Sequence, residues 1–137
     1  GNDLKTPSAS IQGPKVMLID ETAGSGGDML PWMFRKFNVG TLVGKRTWGG
    51  LVGILGFPEF MDGGGVTAPN VDIWTKDGFV VENAGVAPDI EVEQTASEVI
   101  KGNDPQLQKA IEVVLKELEQ HPQEAPKRPP YPVKVKR

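Results

Sequence analysis

Three features of the amino-acid sequence predict an α/β fold. A short, nearly continuous apolar run, Lys15 to Asp20 (KVMLID), is bounded by turn residues and reads as a buried strand of a parallel or mixed sheet. A glycine-rich turn and a helix-period segment follow it directly, and a strongly amphipathic helix comes near the end. Between the two helices the chain is β-rich, with short apolar stretches cut by glycine and proline.

The elements follow in order. Residues 1–14 form a polar leader closed by Gly13-Pro14, without an initiating Met and without the apolar stretch of a signal peptide, as expected of a fragment. From Asp28 the pattern is helical: Met29, Trp32, Met33, Phe34 and Phe37 recur at spacings of three and four. Pro31 suits the first turn of that helix, where a missing N–H costs little. Asn38-Val39-Gly40 ends it, and Leu42-Val43-Gly44 begins a second strand. Residues 44–58 mix five glycines with apolar residues, which suits strands or loops approached closely by another backbone. Asp62 to Gly65 is a turn, and Val66–Thr67 and Val71–Thr75 read as strands. Lys76-Asp77-Gly78 reads as a tight hairpin turn leading to a strand over Phe79–Glu82. Pro88 to Glu93 alternates polar and apolar, as an edge strand does. Asp104 and Pro105 open the last helix as N-cap and first helical residue. Leu107, Ile111, Val114, Leu115 and Leu118 make its apolar stripe, and Glu112–Lys116 is an expected ion pair. Residues 121–137 form a proline-rich basic tail expected to be extended or disordered.

The bulk numbers exclude several classes. A length of 137 residues suits one domain with a real core. A net charge of −3 argues against a nucleic-acid partner. No apolar run approaches the ~20 residues of a membrane span. The chain has no cysteine, which rules out disulfides, thiolate metal sites and a cysteine nucleophile, and is compatible with a cytoplasmic location. No cofactor or metal is expected; neither GxGxxG nor GxxxxGK[ST] is present.

The turn Ala23-Gly24-Ser25-Gly26-Gly27-Asp28 is the candidate for chemistry. A serine between a strand and a helix N-terminus sits beside unpaired N–H groups and a partial positive charge, which stabilise a developing oxyanion. On pattern alone, an N-cap or a phosphate-binding turn fits the same residues.

Taken together, three segments resemble the tricorn-like proteases, within the superfamily of tail-specific (C-terminal processing) peptidases. Ile19 to Asp28 is similar to the nucleophile segment of those enzymes. Gly44-Lys45-Arg46-Thr47-Trp48-Gly49-Gly50 resembles their G-x-[RK]-T-[WF]-G segment, and Glu82 to Ile90 (ENAGVAPDI) their E-N-x-G-V-x-P-D-[IY] segment. The resemblance implies a crotonase-like (ClpP/crotonase) α/β fold, here the C-terminal lobe of a peptidase catalytic core spanning 15–120, and peptide hydrolysis through an acyl-enzyme. It implies Ser25 as nucleophile, the Gly26 N–H as half of an oxyanion hole, and Glu82 as the acidic residue supporting the base. An extended substrate is expected beside Gly49, Gly50 and Ile54. The tail-specific branch uses a lysine at the place held here by Gly50, so a histidine-assisted mechanism is the better match.

The one histidine, His121, stands at the head of the tail, where a catalytic role would require the tail to fold back. The resemblance puts the histidine, its serine partner and a PDZ domain in an earlier lobe of the same polypeptide, so this chain alone is expected to be inactive. Peptide substrates are the expected partners. Homo-oligomers are also expected, since the family forms rings and Trp32, Trp48, Phe57 and Phe60 exceed what a partial domain buries. Two other classes share the fold: a non-catalytic binding or assembly module, and an acyl-CoA-handling protein, whose motifs are absent.

Overall fold

The computed structural model describes residues 3–54, 56, 58–122, 124 and 126–135. Parts of the expected leader (1–2) and tail (123, 125, 136–137), and Phe57, lie outside the described residues.

A three-stranded parallel sheet organises the chain. Strand β1 (Val16–Ile19) leads through helix α1 (Gly26–Lys36) to β2 (Thr41–Gly44), which pairs with β1 from Val16↔Thr41 to Ile19↔Gly44. On its other side β2 pairs in parallel with β7 (Ile90–Glu91), giving the order β1-β2-β7. Parallel neighbours need a crossover connection, and α1 supplies the first. As the central strand, β2 buries both faces: Leu42 and Val43 are fully inaccessible.

The two faces carry different layers. Leu42 and Ile19 join Leu51, Val81 and Val86 in the core, with Met17 and the α1 residues Met29, Trp32 and Phe34 packed against them. Val16 and Leu18, on the alternate face of β1, meet Leu107, Ala110 and Ile111 of helix α3 (Pro105–Gln120). Helices thus cover both faces of the sheet, the arrangement parallel strands require.

Between β2 and β7 the chain forms two small antiparallel ribbons, β3 (Gly53–Ile54) with β4 (Pro69–Val71) and β5 (Trp74–Thr75) with β6 (Gly78–Phe79). The β5–β6 hairpin turns at Lys76-Asp77 with Gly78 already in its strand, and Lys36 of α1 reaches Asp77 at 3.4 Å. Val66–Thr67, expected as a strand, is not one; the pairing residues are Pro69 to Val71, opposite a bulged β3. The expected strand over Phe79–Glu82 stops at Phe79, because the backbone turns sharply at Val81.

The helix boundaries follow their caps. α1 begins two residues before the expected Asp28, and Asn38 ends it in the left-handed region (φ 51°). On α3 the Asp104 carboxylate accepts the Leu107 N–H at 2.8 Å. The ion pair expected between Glu112 and Lys116 is replaced by Glu112 with Lys109, at 2.9 Å on the same face. A five-residue helix, α2 (Ala96–Ile100), was not expected; Thr95 caps it, but one and a half turns leave no periodicity to read.

Leu42→Ala is expected to cost about 2–5 kcal/mol, since its cavity opens where the sheet and α1 meet. Ile111→Ala, half-exposed on α3, is expected to cost well under that. Chemical denaturation of the two variants checks the ordering.

Candidate active site

β1 ends at Ile19, and Asp20 turns the chain toward the candidate nucleophile. Its Oδ1 accepts the Thr22 N–H (2.8 Å), the Thr22 hydroxyl (2.6 Å) and the Ala23 N–H (3.1 Å). Ser25 then occupies the N-cap position of α1 with φ 53° and ψ −113°, a conformation that non-glycine residues rarely adopt. Its side chain makes no capping hydrogen bond and the residue is exposed. The N-cap reading open to the sequence is therefore met in position only, and the hydroxyl is left for other chemistry. The Ser25 carbonyl accepts from Asp28 (3.0 Å) and Met29 (2.9 Å), the start of the helical ladder, while the Gly26 N–H has no acceptor among the described residues.

The segment after β2 lies against this turn. The Trp48 N–H donates to the Ala23 carbonyl and the Ser25 N–H to the Gly50 carbonyl, both at 2.9 Å. Asp28, fully buried, accepts the Gly49 N–H at 2.8 Å and the Gly50 N–H at 3.0 Å. The next two N–H groups, of Leu51 and Val52, go to Oε2 of Glu82 at 2.6 and 2.7 Å. Four consecutive amides are thus taken by two carboxylates, one on the nucleophile helix and one from the other candidate site segment.

Glu82 is held by a strained backbone. Its neighbours Val81 (φ 72°) and Asn83 (φ 59°) are both left-handed, and for a β-branched valine that is an outlier. The Glu82 N–H donates to the Val80 carbonyl at 2.8 Å, closing a three-residue turn around Val81. The Asn83 N–H reaches the Gly49 carbonyl at 2.7 Å, so this turn and the 49–52 segment hold each other. Thr47, fully buried, completes the brace: its N–H donates to the Val86 carbonyl (3.0 Å) and its hydroxyl accepts the Val86 N–H (2.8 Å). Glu82, Gly49, Gly50 and Ile54 line one cavity of about 360 Å³, with Trp48 and Val52 on its walls. The expected substrate-side residues and the expected acid are therefore neighbours.

Position 50 is glycine, and a side chain there would displace the Trp48 ring: a Cβ on Gly50 would meet it at 2.6 Å, and one on Gly24 would meet the same edge of the ring at 2.6 Å. Lys45 is held by Glu91 (2.8 Å) and Glu93 (2.7 Å), whose hydrogen bonds push its ammonium above the ordinary lysine range, opposite to what a general base needs. His121 is the exposed C-cap of α3; its N–H donates to the Glu117 carbonyl, and no hydrogen bond links it to Ser25 or Glu82 among the described residues.

The sequence profile of Peptidase family S41 matches residues 1–92. The chain belongs to peptidase family S41. Within its wider kin it is 41% identical over 124 residues to the tricorn protease of Thermoplasma acidophilum, covering 90% of this chain and 12% of that protein. It is 43% identical over 123 residues to the tricorn protease of Thermoplasma volcanium, covering 89% and 12%. A crystal structure of the tricorn protease superposes with a TM-score of 0.76 at 41% identity, over 82% of this chain and 11% of that one. The chain thus spans about an eighth of the length of these S41 relatives, and the mixed α/β architecture is shared with them.

Asp28 was legible in the sequence only as the end of the nucleophile turn. The signal was indirect: a Gly-Gly pair leaves N–H groups that a nearby acceptor must satisfy. Arg46 and Asp89 are further braces of this kind. Arg46 donates to the Ala84 carbonyl at 2.7 Å, and Asp89 accepts the Leu42 N–H at 2.8 Å while pairing with Arg35.

The Thr22 hydroxyl, with the two N–H groups, holds the Asp20 carboxyl below its ordinary value against a smaller opposing effect of burial. Lys45 depresses Glu91 in the same direction. A carboxyl lowered in the folded state adds stability that is full above its ordinary range and is lost as pH falls through the lowered value. Asp20→Asn is therefore expected to flatten the fall of the denaturation midpoint as pH drops below the ordinary carboxyl range, while the midpoint at neutral pH drops. An unchanged acid limb would show that Asp20 does not couple to folding.

Proposed function

We propose that this chain is the nucleophile-bearing lobe of a tricorn-like serine endopeptidase with a crotonase-like catalytic core. The observation that carries the reading is Ser25 itself: a strained, exposed serine at a helix N-terminus, its hydroxyl unused for capping, followed by an amide without an acceptor among the described residues. In this reading Ser25 Oγ attacks the carbonyl carbon of a peptide bond while its proton passes to a base. The oxyanion is received by the Gly26 N–H at the positive end of α1, a donor of the kind worth about 10²–10³-fold in rate. The tetrahedral adduct collapses by expelling the amine, which takes the proton from the base. Water then hydrolyses the acyl-enzyme by the same steps in reverse order.

The base is a histidine from another part of a longer polypeptide, and Glu82 holds it in orientation. The cavity beside Glu82 is where its imidazole belongs, and the fixed carboxylate suits that role because two amides already set its direction. Trp48 and Ile54 offer apolar surface to an extended peptide in that cavity, the Gly49–Val52 amides being taken already by the two carboxylates. Subunits of the complete protein associate through the aromatic surface left exposed here, which includes Trp48 (67%) and Phe60 (54%).

The test is a fluorophosphonate probe and a peptide-hydrolysis assay on the longest polypeptide that carries this chain. Ser25→Ala is expected to abolish labelling and to lower kcat by at least about 10³-fold. Labelling that survives Ser25→Ala overturns the nucleophile. Negligible labelling is expected of residues 1–137 alone, and strong labelling there would place the base within this chain.

A further inference from the structure

We propose that Asp28 is a positioning residue of this site: its carboxylate holds the two peptides that lead into the Gly50 carbonyl, the acceptor of the Ser25 N–H, and so ties the nucleophile turn to the segment whose next two amides Glu82 holds. The inference rests on Ser25 being the nucleophile.

Asp28 is fully buried and has no cationic partner among the described residues. A buried carboxylate is expensive to desolvate, and two backbone N–H groups plus the first turn of α1 are what offset it here. Stability alone does not call for a charge, because an apolar group of similar size commonly serves a core as well. What the carboxylate supplies is direction. Its two oxygens take successive amides, one each, and so orient the Trp48–Gly49 and Gly49–Gly50 peptides.

That orientation has consequences on both sides. The Gly50 carbonyl, in the peptide that follows the two Asp28 holds, accepts the Ser25 N–H, and the same peptide's Leu51 N–H goes to Glu82. Downstream, the Leu51 and Val52 amides turn to Oε2 of Glu82, and the Gly49 carbonyl receives the Asn83 N–H beside it. Gly49 sits at φ 90°, where a Cβ would lie 2.6 Å from the Gly85 nitrogen, so this path requires glycine at position 49. Ser25 and Glu82 share no hydrogen bond; their relative placement passes through Gly49–Val52, and Asp28 holds its first half.

The experiment compares Asp28→Asn with the parent in the longest active polypeptide. Asparagine keeps the shape and one acceptor oxygen but turns an NH₂ toward a glycine N–H. The expected result is a kcat reduced about 10–100-fold with KM within about 2-fold, the signature of lost transition-state geometry. Val43→Ala is the stability control: it opens a cavity in the sheet away from the Gly49–Val52 segment and is expected to lower the denaturation midpoint while kcat stays within about 2-fold. If Val43→Ala loses as much kcat as Asp28→Asn at a similar midpoint, the positioning role is overturned. Should Asp28→Asn not accumulate as folded protein, Asp28→Glu keeps the charge one methylene further out, and the same split of kcat from KM is expected. Ser25→Ala run alongside separates the two readings. Activity that survives it overturns the nucleophile, whereas a silent Ser25→Ala with an unimpaired Asp28→Asn overturns the positioning role alone.

Discussion

A backbone that runs through glycines beside a sheet must still find acceptors for its N–H groups, and between Gly49 and Val52 it finds them in two carboxylates. Asp28 takes the first two amides and Glu82 the next two. A buried amide without a partner costs on the order of 1–3 kcal/mol, so the two donors on buried residues, Gly49 to Asp28 and Leu51 to Glu82, tie the position of each acid to the stability of the fold. Most of the other site contacts depend on this arrangement. The Ser25 amide can reach Gly50, and Asn83 can reach Gly49, only where the segment is already held. The three motif segments, distant in sequence, are therefore one hydrogen-bonded unit.

The unit also explains how strain is tolerated. Ser25 and Val81 sit in backbone regions that cost on the order of 1–3 kcal/mol each. Each is overdetermined. The Ser25 carbonyl caps two amides of α1 and its N–H is bound to Gly50, while the Val81 carbonyl accepts from both Ala84 (2.9 Å) and Gly85 (2.8 Å). The cost is met by the parallel sheet behind, whose central strand buries Leu42, Val43 and Gly44 and whose ends carry β1 into the Ser25 turn and β2 into Gly49. Strain at a candidate nucleophile and beside its candidate acid, supported from the same segment, is what a preorganised site requires.

Elements with a long period or a strong cap were legible in the sequence. β1, β2 and α3 came from the KVMLID run, the Leu42-Val43 pair and the Asp104-Pro105 start, each a local signal. The ribbons were not, because two-residue strands such as Gly53–Ile54 are defined by their partners and have almost no pattern of their own. The Glu112 partner was missed for a related reason: lysines at i−3 and i+4 are equivalent in sequence, and rotamers choose between them. At the candidate site, the glycine-rich turn raised Ser25 as one reading among several, and the motif resemblance is what named Ser25 and Glu82 as candidates. Asp28 escaped notice because an acid in the first turn of a helix reads as a dipole partner. Only the folded path of Gly49-Gly50 shows that it points inward.

The same geometry constrains what base the proposed mechanism can use. Lys45 is paired with two glutamates, and position 50, a glycine, supplies no side chain. His121 caps a helix whose packing is on the opposite face of the sheet from α1. An acid whose direction is fixed by two amides, at the side of a cavity bordered by Gly50, is matched to a neutral imidazole: it can accept one ring N–H and stabilise the cation that forms when the other nitrogen takes the serine proton. A lysine base would gain nothing from such a partner, since an adjacent carboxylate raises an ammonium pKa and leaves it protonated. A fixed Glu82 therefore favours the histidine-assisted chemistry over the Ser–Lys alternative on electrostatic grounds, independently of the residue found at position 50.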